Sequence, residues 1–239
     1  MMHYSTLVKF KHTAILFIAT MIIVANSCKK SAPKGSITEG VIEYNIEYLE
    51  NNMQKNIPTN LLPKKMTMMF KDNMSKRNIE GFMGLFSLTL ITDHEETTTT
   101  AFLKVLGKKY YYKGEAKEKT FCFDEIPGMK VDPNNGIGKK ITGLKCRKGK
   151  VTFKQEKKEP FNFFYTHEIR LKNPNFGNPY KKVDGVLMNF QVKLNKLRMQ
   201  LSAGKFTDNN ISDEEFKHPS DHKRVTMKDM EEILNTLME

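Results

Sequence analysis

The reactive side chains of this 239-residue chain are few: six histidines, three cysteines and a scatter of carboxylates. His218 and His222 stand four apart around Asp221, the spacing at which a helix offers two imidazoles to one metal ion. Pro219 lies between them and blocks a helix there, so the segment reads as a solvated loop before the last helix. Asp93-His94-Glu95-Glu96 reads as a polar hairpin tip rather than a ligand cluster. Asp132-Pro133-Asn134-Asn135-Gly136 begins like a calcium loop, but it lacks the third ligand spacing and the closing glutamate; a tight turn is the better account. His167, Glu168 and Asp184 carry acid and base functions, yet nothing in their spacing brings them together. A nucleophile elbow, a metal triad and paired carboxylates at recognisable spacing are all missing. The sequence therefore predicts a non-enzymatic protein with no catalytic residue, metal or cofactor.

At the N-terminus, Lys9 and Lys11 precede an apolar run from Ala14 to Ala25, followed by Asn26-Ser27-Cys28. The run is too short for a permanent span, which takes about 20 apolar residues, and its basic start and small-residue end fit a secretory signal. The cysteine directly after Ser27 resembles the lipobox of bacterial lipoproteins, in which cleavage exposes a cysteine that carries lipid. This predicts a signal peptide over residues 1–27, lipidation at Cys28, a polar tether over 28–36 and one domain over 37–239. It also predicts attachment to a membrane through the N-terminal lipid, since two or three acyl chains hold stably where one is marginal.

With Cys28 given to lipid, Cys122 and Cys146 remain as an even pair in an exported protein, and a disulfide between them is expected. It would close a loop of about 25 residues, contributing roughly 3 to 4 kcal/mol. The alternative is two reduced, buried thiols. The formal net charge is +12, spread over lysine pairs such as Lys64-Lys65, Lys108-Lys109, Lys139-Lys140, Lys157-Lys158 and Lys181-Lys182. These read as solvated loop ends that protect β-edges, or as a surface attractive to anionic headgroups or an anionic glycolipid. No nucleic-acid motif is present and no nucleic-acid partner is expected.

The elements that must position these residues are mostly strands. Ile42, Tyr44, Ile46 and Tyr48 alternate with Glu43, Asn45 and Glu47, and Met66, Met68 and Phe70 alternate in the same way. The run from Phe82 to Ile91 is apolar on both faces, as in a central strand. Thr97 to Leu106 and Tyr110-Tyr111-Tyr112 flank a hairpin turn at Gly107-Lys108-Lys109. Strand patterning recurs over Leu144 to Phe153 and Phe161 to Leu171. In the longest run, Val186, Met188, Phe190, Val192 and Leu194 share a face, which Leu197, Met199 and Leu201 continue after a phase change. Thr226 and Asp229 have capping-box spacing before an apolar stripe, predicting a helix from Met227 to Leu237. A second short helix around Asn51 to Leu61 is weakened by Pro58.

Ile42-Glu43-Tyr44, the run Leu62 to Met68, Lys109 to Tyr112, and Gly138 to Cys146 together resemble a family of uncharacterised envelope lipoproteins of the Bacteroidetes, similar to LolA/LolB-like and GLPGLI-like domains. The resemblance implies a mainly β (α+β) fold: an antiparallel sheet curled into an unclosed half-barrel, with a few helices over its concave side and a greasy cavity between. It implies lipid or acyl-chain binding. Lys29, Lys30 and Lys34 replace the acidic tag of surface-displayed lipoproteins in that group, which favours the periplasmic face of the outer membrane. Residues expected on the concave face are Met66, Met68, Phe70, Phe86, Leu88, Leu90, Met188, Phe190, Leu197, Met199 and Leu201. They line a lipid cavity or fill a solid core, in which case the protein is a structural or interaction lipoprotein with an envelope protein or glycolipid partner.

Overall fold

The computed structural model describes residues 37–51, 62–81, 84–124, 126–154, 158–194 and 196–238. The signal segment, Cys28, the tether and all but the first residue of the short helix expected around 51–61 lie outside these residues; Asn51 itself ends a strand.

Among the described residues, thirteen strands form one unclosed sheet. The first meander runs through β1 (Glu39–Asn51), β2 (Lys65–Lys71), β3 (Met74–Gly81), β4 (Phe86–Asp93), β5 (Thr98–Val105) and β6 (Lys108–Lys113). The second contains β7 (Met129–Asp132), β8 (Lys139–Ile141), β9 (Leu144–Phe153), β10 (Phe161–Thr166), β11 (Val186–Leu194) and β12 (Leu197–Thr207). The two join where β1 pairs antiparallel with β12, and β7 and β8 share the free side of β9. All pairings between strands are antiparallel except that of the two-residue β13 (Lys223–Arg224) with β6.

Local chemistry explains the turns. Leu106 and Gly107 both have positive φ (50° and 81°), as do Thr142 and Gly143 (49° and 90°). Two consecutive left-handed residues form the tight turn whose twist matches that of a hairpin. Gly149 serves a different purpose, because a methyl group there would lie 2.1 Å from the Phe163 ring across the β9–β10 pair.

Alternation buries one face of the sheet. Ile42 and Tyr44, Met66, Met68 and Phe70, Leu88 and Leu90, and Met188, Phe190, Met199 and Leu201 all lie in one core. Residues of β4 and β11 line a common cavity although five strand spacings separate them, about 24 Å on a flat sheet. The sheet therefore bends around its apolar face. Register shifts in the β1–β12 pair, between Glu43 and Tyr44 and between Tyr48 and Glu50, supply the extra local twist that such bending needs.

An aromatic chain crosses this core. Phe163 packs on Tyr165 and Tyr180 with ring centres 5.9 and 5.2 Å apart, and Phe190 meets Tyr180 and Tyr44 edge-on at 6.0 Å. The buried hydroxyls are satisfied by backbone: Tyr44 donates to Leu187 O at 2.8 Å, Tyr180 to Gln191 O at 2.8 Å and Tyr165 to Pro133 O at 3.0 Å.

A smaller cluster sits on the outer face, where Ile91, Phe102, Ile211 and Phe216 pack together. Phe216 ends a short 3-10 helix, Asp213–Phe216, which Lys71–Asp213 (2.6 Å) and Lys76–Glu215 (2.9 Å) ion pairs fasten to β2 and β3. The single α-helix among the described residues, α1 (Met227–Met238), starts at a capping box: Thr226 Oγ1 accepts from Asp229 N, and Asp229 Oδ2 accepts from Thr226 N, both at 3.1 Å. Met230 and Leu234 are its buried contacts with the core.

The structure corrects two sequence expectations and decides a third. The strand expected over Phe161 to Leu171 ends at Thr166, because Thr166 Oγ1 turns back to accept from Glu168 N and starts a bend. The phase change before Leu197, which suggests a bulge or a turn, is a turn: the chain reverses there between two paired strands. Strands β3, β7, β8 and β13 were not expected, since β3 carries Lys76, Arg77 and Asn78 and the others have only two to four residues.

Candidate apolar ligand site

Two loops roof the bent face. One follows β6 and carries Phe121, Cys122 and Phe123; the other follows β10 and carries Asn175, Tyr180 and Val183. They are tied together by Thr120 N donating to Gly177 O at 2.8 Å, and the first is tied to β11 by Asp124 N donating to Lys193 O at 3.0 Å. The second holds its own shape because the Asn175 side-chain amide donates to Val183 O and Gly185 O.

Two small cavities lie beneath this roof. The first, about 30 Å³, is walled by Met66, Leu88, Leu90, Met199, Leu201 and neighbouring apolar residues, with Cys122 in its lining. The second, about 20 Å³, is walled by Tyr44, Met68, Phe190, Leu187 and the Pro174–Asn175 backbone region. Met66, Arg77 and Phe123 belong to both linings, so the cavities adjoin around them. Each has room for about one or two waters, against roughly 300 Å³ or more in a typical ligand pocket. Outside the roof lies an open cleft of about 640 Å³ bordered by Lys117, Lys119, Lys181 and Lys193, with Phe123 again in its lining. Phe123 thus separates an apolar interior from a basic exterior; within the cleft, Lys119 pairs with Asp124 at 2.8 Å.

All eleven residues expected on the concave face are buried in the main core. Met66, Met68, Leu88, Leu90, Phe190, Met199 and Leu201 line the two cavities, whereas Phe70, Phe86, Met188 and Leu197 are absent from both linings. Sequence reasoning missed Arg77, Ile79 and Phe123. Antiparallel pairing across the Asp72-Asn73 turn sets Arg77 opposite Met68, and the β3–β4 pair sets it opposite Leu90, but the polar row around it gives no strand signal in the sequence.

The expected disulfide is corrected. Cys122 and Cys146 are free thiols and are not near each other, and a bridge requires Cα atoms within about 7 Å. Cys146 points from β9 into the core and contacts Leu144 O at 3.5 Å, while Cys122 lies in the roof. Burial pushes both pKa values up, that of Cys146 to about 11, so neither is an activated nucleophile.

The other polar clusters are structural. His94, in the segment expected as a polar hairpin tip, is fully buried: Nε2 lies 2.8 Å from Ser75 Oγ and Nδ1 3.4 Å from Asn173 O. Burial, aided by the Arg77 charge, lowers its pKa to about 3. The Ser75–His94 pair has the elements of a nucleophile and base, but both are sealed from substrate. Asp93 Oδ1 accepts from Glu95 N and Glu96 N, closing the turn. Asp132 Oδ1 likewise accepts from Asn134 N. His218 and His222 meet Phe102 edge-on, and Asp221 pairs with Lys109. His167 packs on Tyr165, and Glu168 accepts from Lys145 N at 2.7 Å; no hydrogen bond or ion pair joins either to Asp184 among the described residues. No group of three metal-ligating side chains occurs among the described residues. Comparison with models of known protein families gave no match, and comparison with curated proteins gave none either.

Proposed function

We propose that this is a non-enzymatic, lipid-anchored lipoprotein of the bacterial envelope that binds a lipid or acyl chain against the concave face of a LolA-like half-barrel. The observation that carries the reading is the pair of adjoining, mainly apolar cavities around Met66, Arg77 and Phe123, with Phe123 also bordering the lysine-rimmed cleft outside. Flexible Met66, Met68 and Met199 in their walls suit a ligand without one fixed shape. The cavities are too small for an acyl chain as they stand, so binding would displace Phe123 and part of the roof. Anchoring through Cys28 on the periplasmic face of the outer membrane would keep the site beside its ligand source.

A second reading is favoured by volume: cavities of about 30 and 20 Å³ also suit a solid core, and then the protein is a structural or interaction lipoprotein whose lysines touch an envelope protein or anionic glycolipid. Native mass spectrometry of gently extracted protein separates the two. One acyl lipid per chain is the outcome of the first reading; uniformly ligand-free protein is that of the second. Cys28→Ala should abolish labelling by fatty acid and leave uncleaved precursor, and continued labelling would refute the anchor.

A further inference from the structure

We propose that Arg77 receives the carboxylate of the bound molecule, making the preferred ligand a fatty acid held head-inward; this rests on the acyl-chain reading above. Arg77 lies on β3 between Ser75 and Ile79 on the inward-facing register, opposite Met68 and Leu90. It belongs to the lining of both cavities, among Met66, Leu88, Leu90 and Phe190. A guanidinium offers five N–H donors. Among the described residues its one hydrogen bond is to Pro174 O at 3.5 Å, the long limit of such a contact, and no carboxylate pairs with it. The nearby Tyr44 hydroxyl donates to Leu187 O, and His94 is held by Ser75; neither supplies a negative charge. Burial pulls the Arg77 pKa below its ordinary value, though arginine stays charged.

A cation in an apolar wall is costly unless paired. Leucine or methionine would fill the same position without that cost, and the neighbouring strands show that such residues pack there. The planar fork of arginine matches a carboxylate through two parallel hydrogen bonds. The outer lysines would draw the anion to the mouth, and Phe123 lies between that mouth and Arg77.

Binding of radiolabelled dodecanoate and dodecanol to the full chain, held in a steroid-based detergent without acyl chains, tests the assignment. Wild type should prefer dodecanoate by about 10-fold or more. Arg77→Met should lower dodecanoate binding to the level of dodecanol and leave dodecanol binding unchanged. If both variants bind dodecanoate equally, the carboxylate is held elsewhere and the assignment falls, while the acyl-chain reading stands. If wild type binds neither probe, the acyl-chain reading itself fails. Should Arg77→Met not fold, Arg77→Gln decides: a selective loss of dodecanoate supports the proposal, and unchanged binding of both probes overturns it.

Discussion

At the scale of single residues, burial without a charge partner governs the chemistry. His94 is neutral in the folded chain, with a pKa near 3 against 6.5 when unfolded. Between these values the unfolded state binds the extra proton, so stability is full above pH 6.5 and falls as pH drops toward 3, by about 1.4 kcal/mol per unit. Urea midpoints at pH 7, 5 and 4 should decline, and His94→Gln should flatten the decline; an equal slope in both proteins would remove His94 as the cause. The thiols give a second residue-scale outcome. In folded protein at pH 8, Cys122 and Cys146 should resist alkylation, then react fully on unfolding without reductant. Joined peptides in a non-reducing map would restore the bridge that the geometry removes. The sequence showed an even pair of cysteines, but pairing depends on distance, and no spacing along the chain reveals that one faces the core from β9 while the other sits in the roof.

Among the elements, those with strong period and clear punctuation were legible before any coordinates. Strand β1 alternates as Ile42 and Tyr44 require, and α1 begins at the Thr226–Asp229 box read from spacing alone. Thr226→Ala should cost about 1 kcal/mol, measurable as a lower urea midpoint with the sheet otherwise intact; no change would mean that tertiary contacts at Met230 and Leu234 fix the helix start. Strand β3 was illegible because its inward face is Ser75, Arg77 and Ile79 rather than an apolar row. The same departure that hid the strand supplies the one cation among the two cavities' linings. The roof was illegible for another reason: Phe121 to Phe123 have no period, and tertiary contacts such as Thr120–Gly177 and Asp124–Lys193, with the packing of Phe121 on the core, bring that loop over the sheet.

At the scale of the described domain, thirteen strands bent around one apolar face explain both the core and the two small cavities within it. The described domain contains no helix long and apolar enough to cross a membrane, and the proposed attachment rests on Cys28. Function then depends on whether the roof yields to an acyl chain. Because the chain has no tryptophan, Phe123→Trp creates a single fluorescent reporter at the boundary between the basic cleft and the apolar interior. Titration with dodecanoate should give a saturable change in its emission, at one ligand per chain. Emission that stays constant, or drifts linearly without saturation, would contradict a site beneath Phe123 and favour the reading of a solid core.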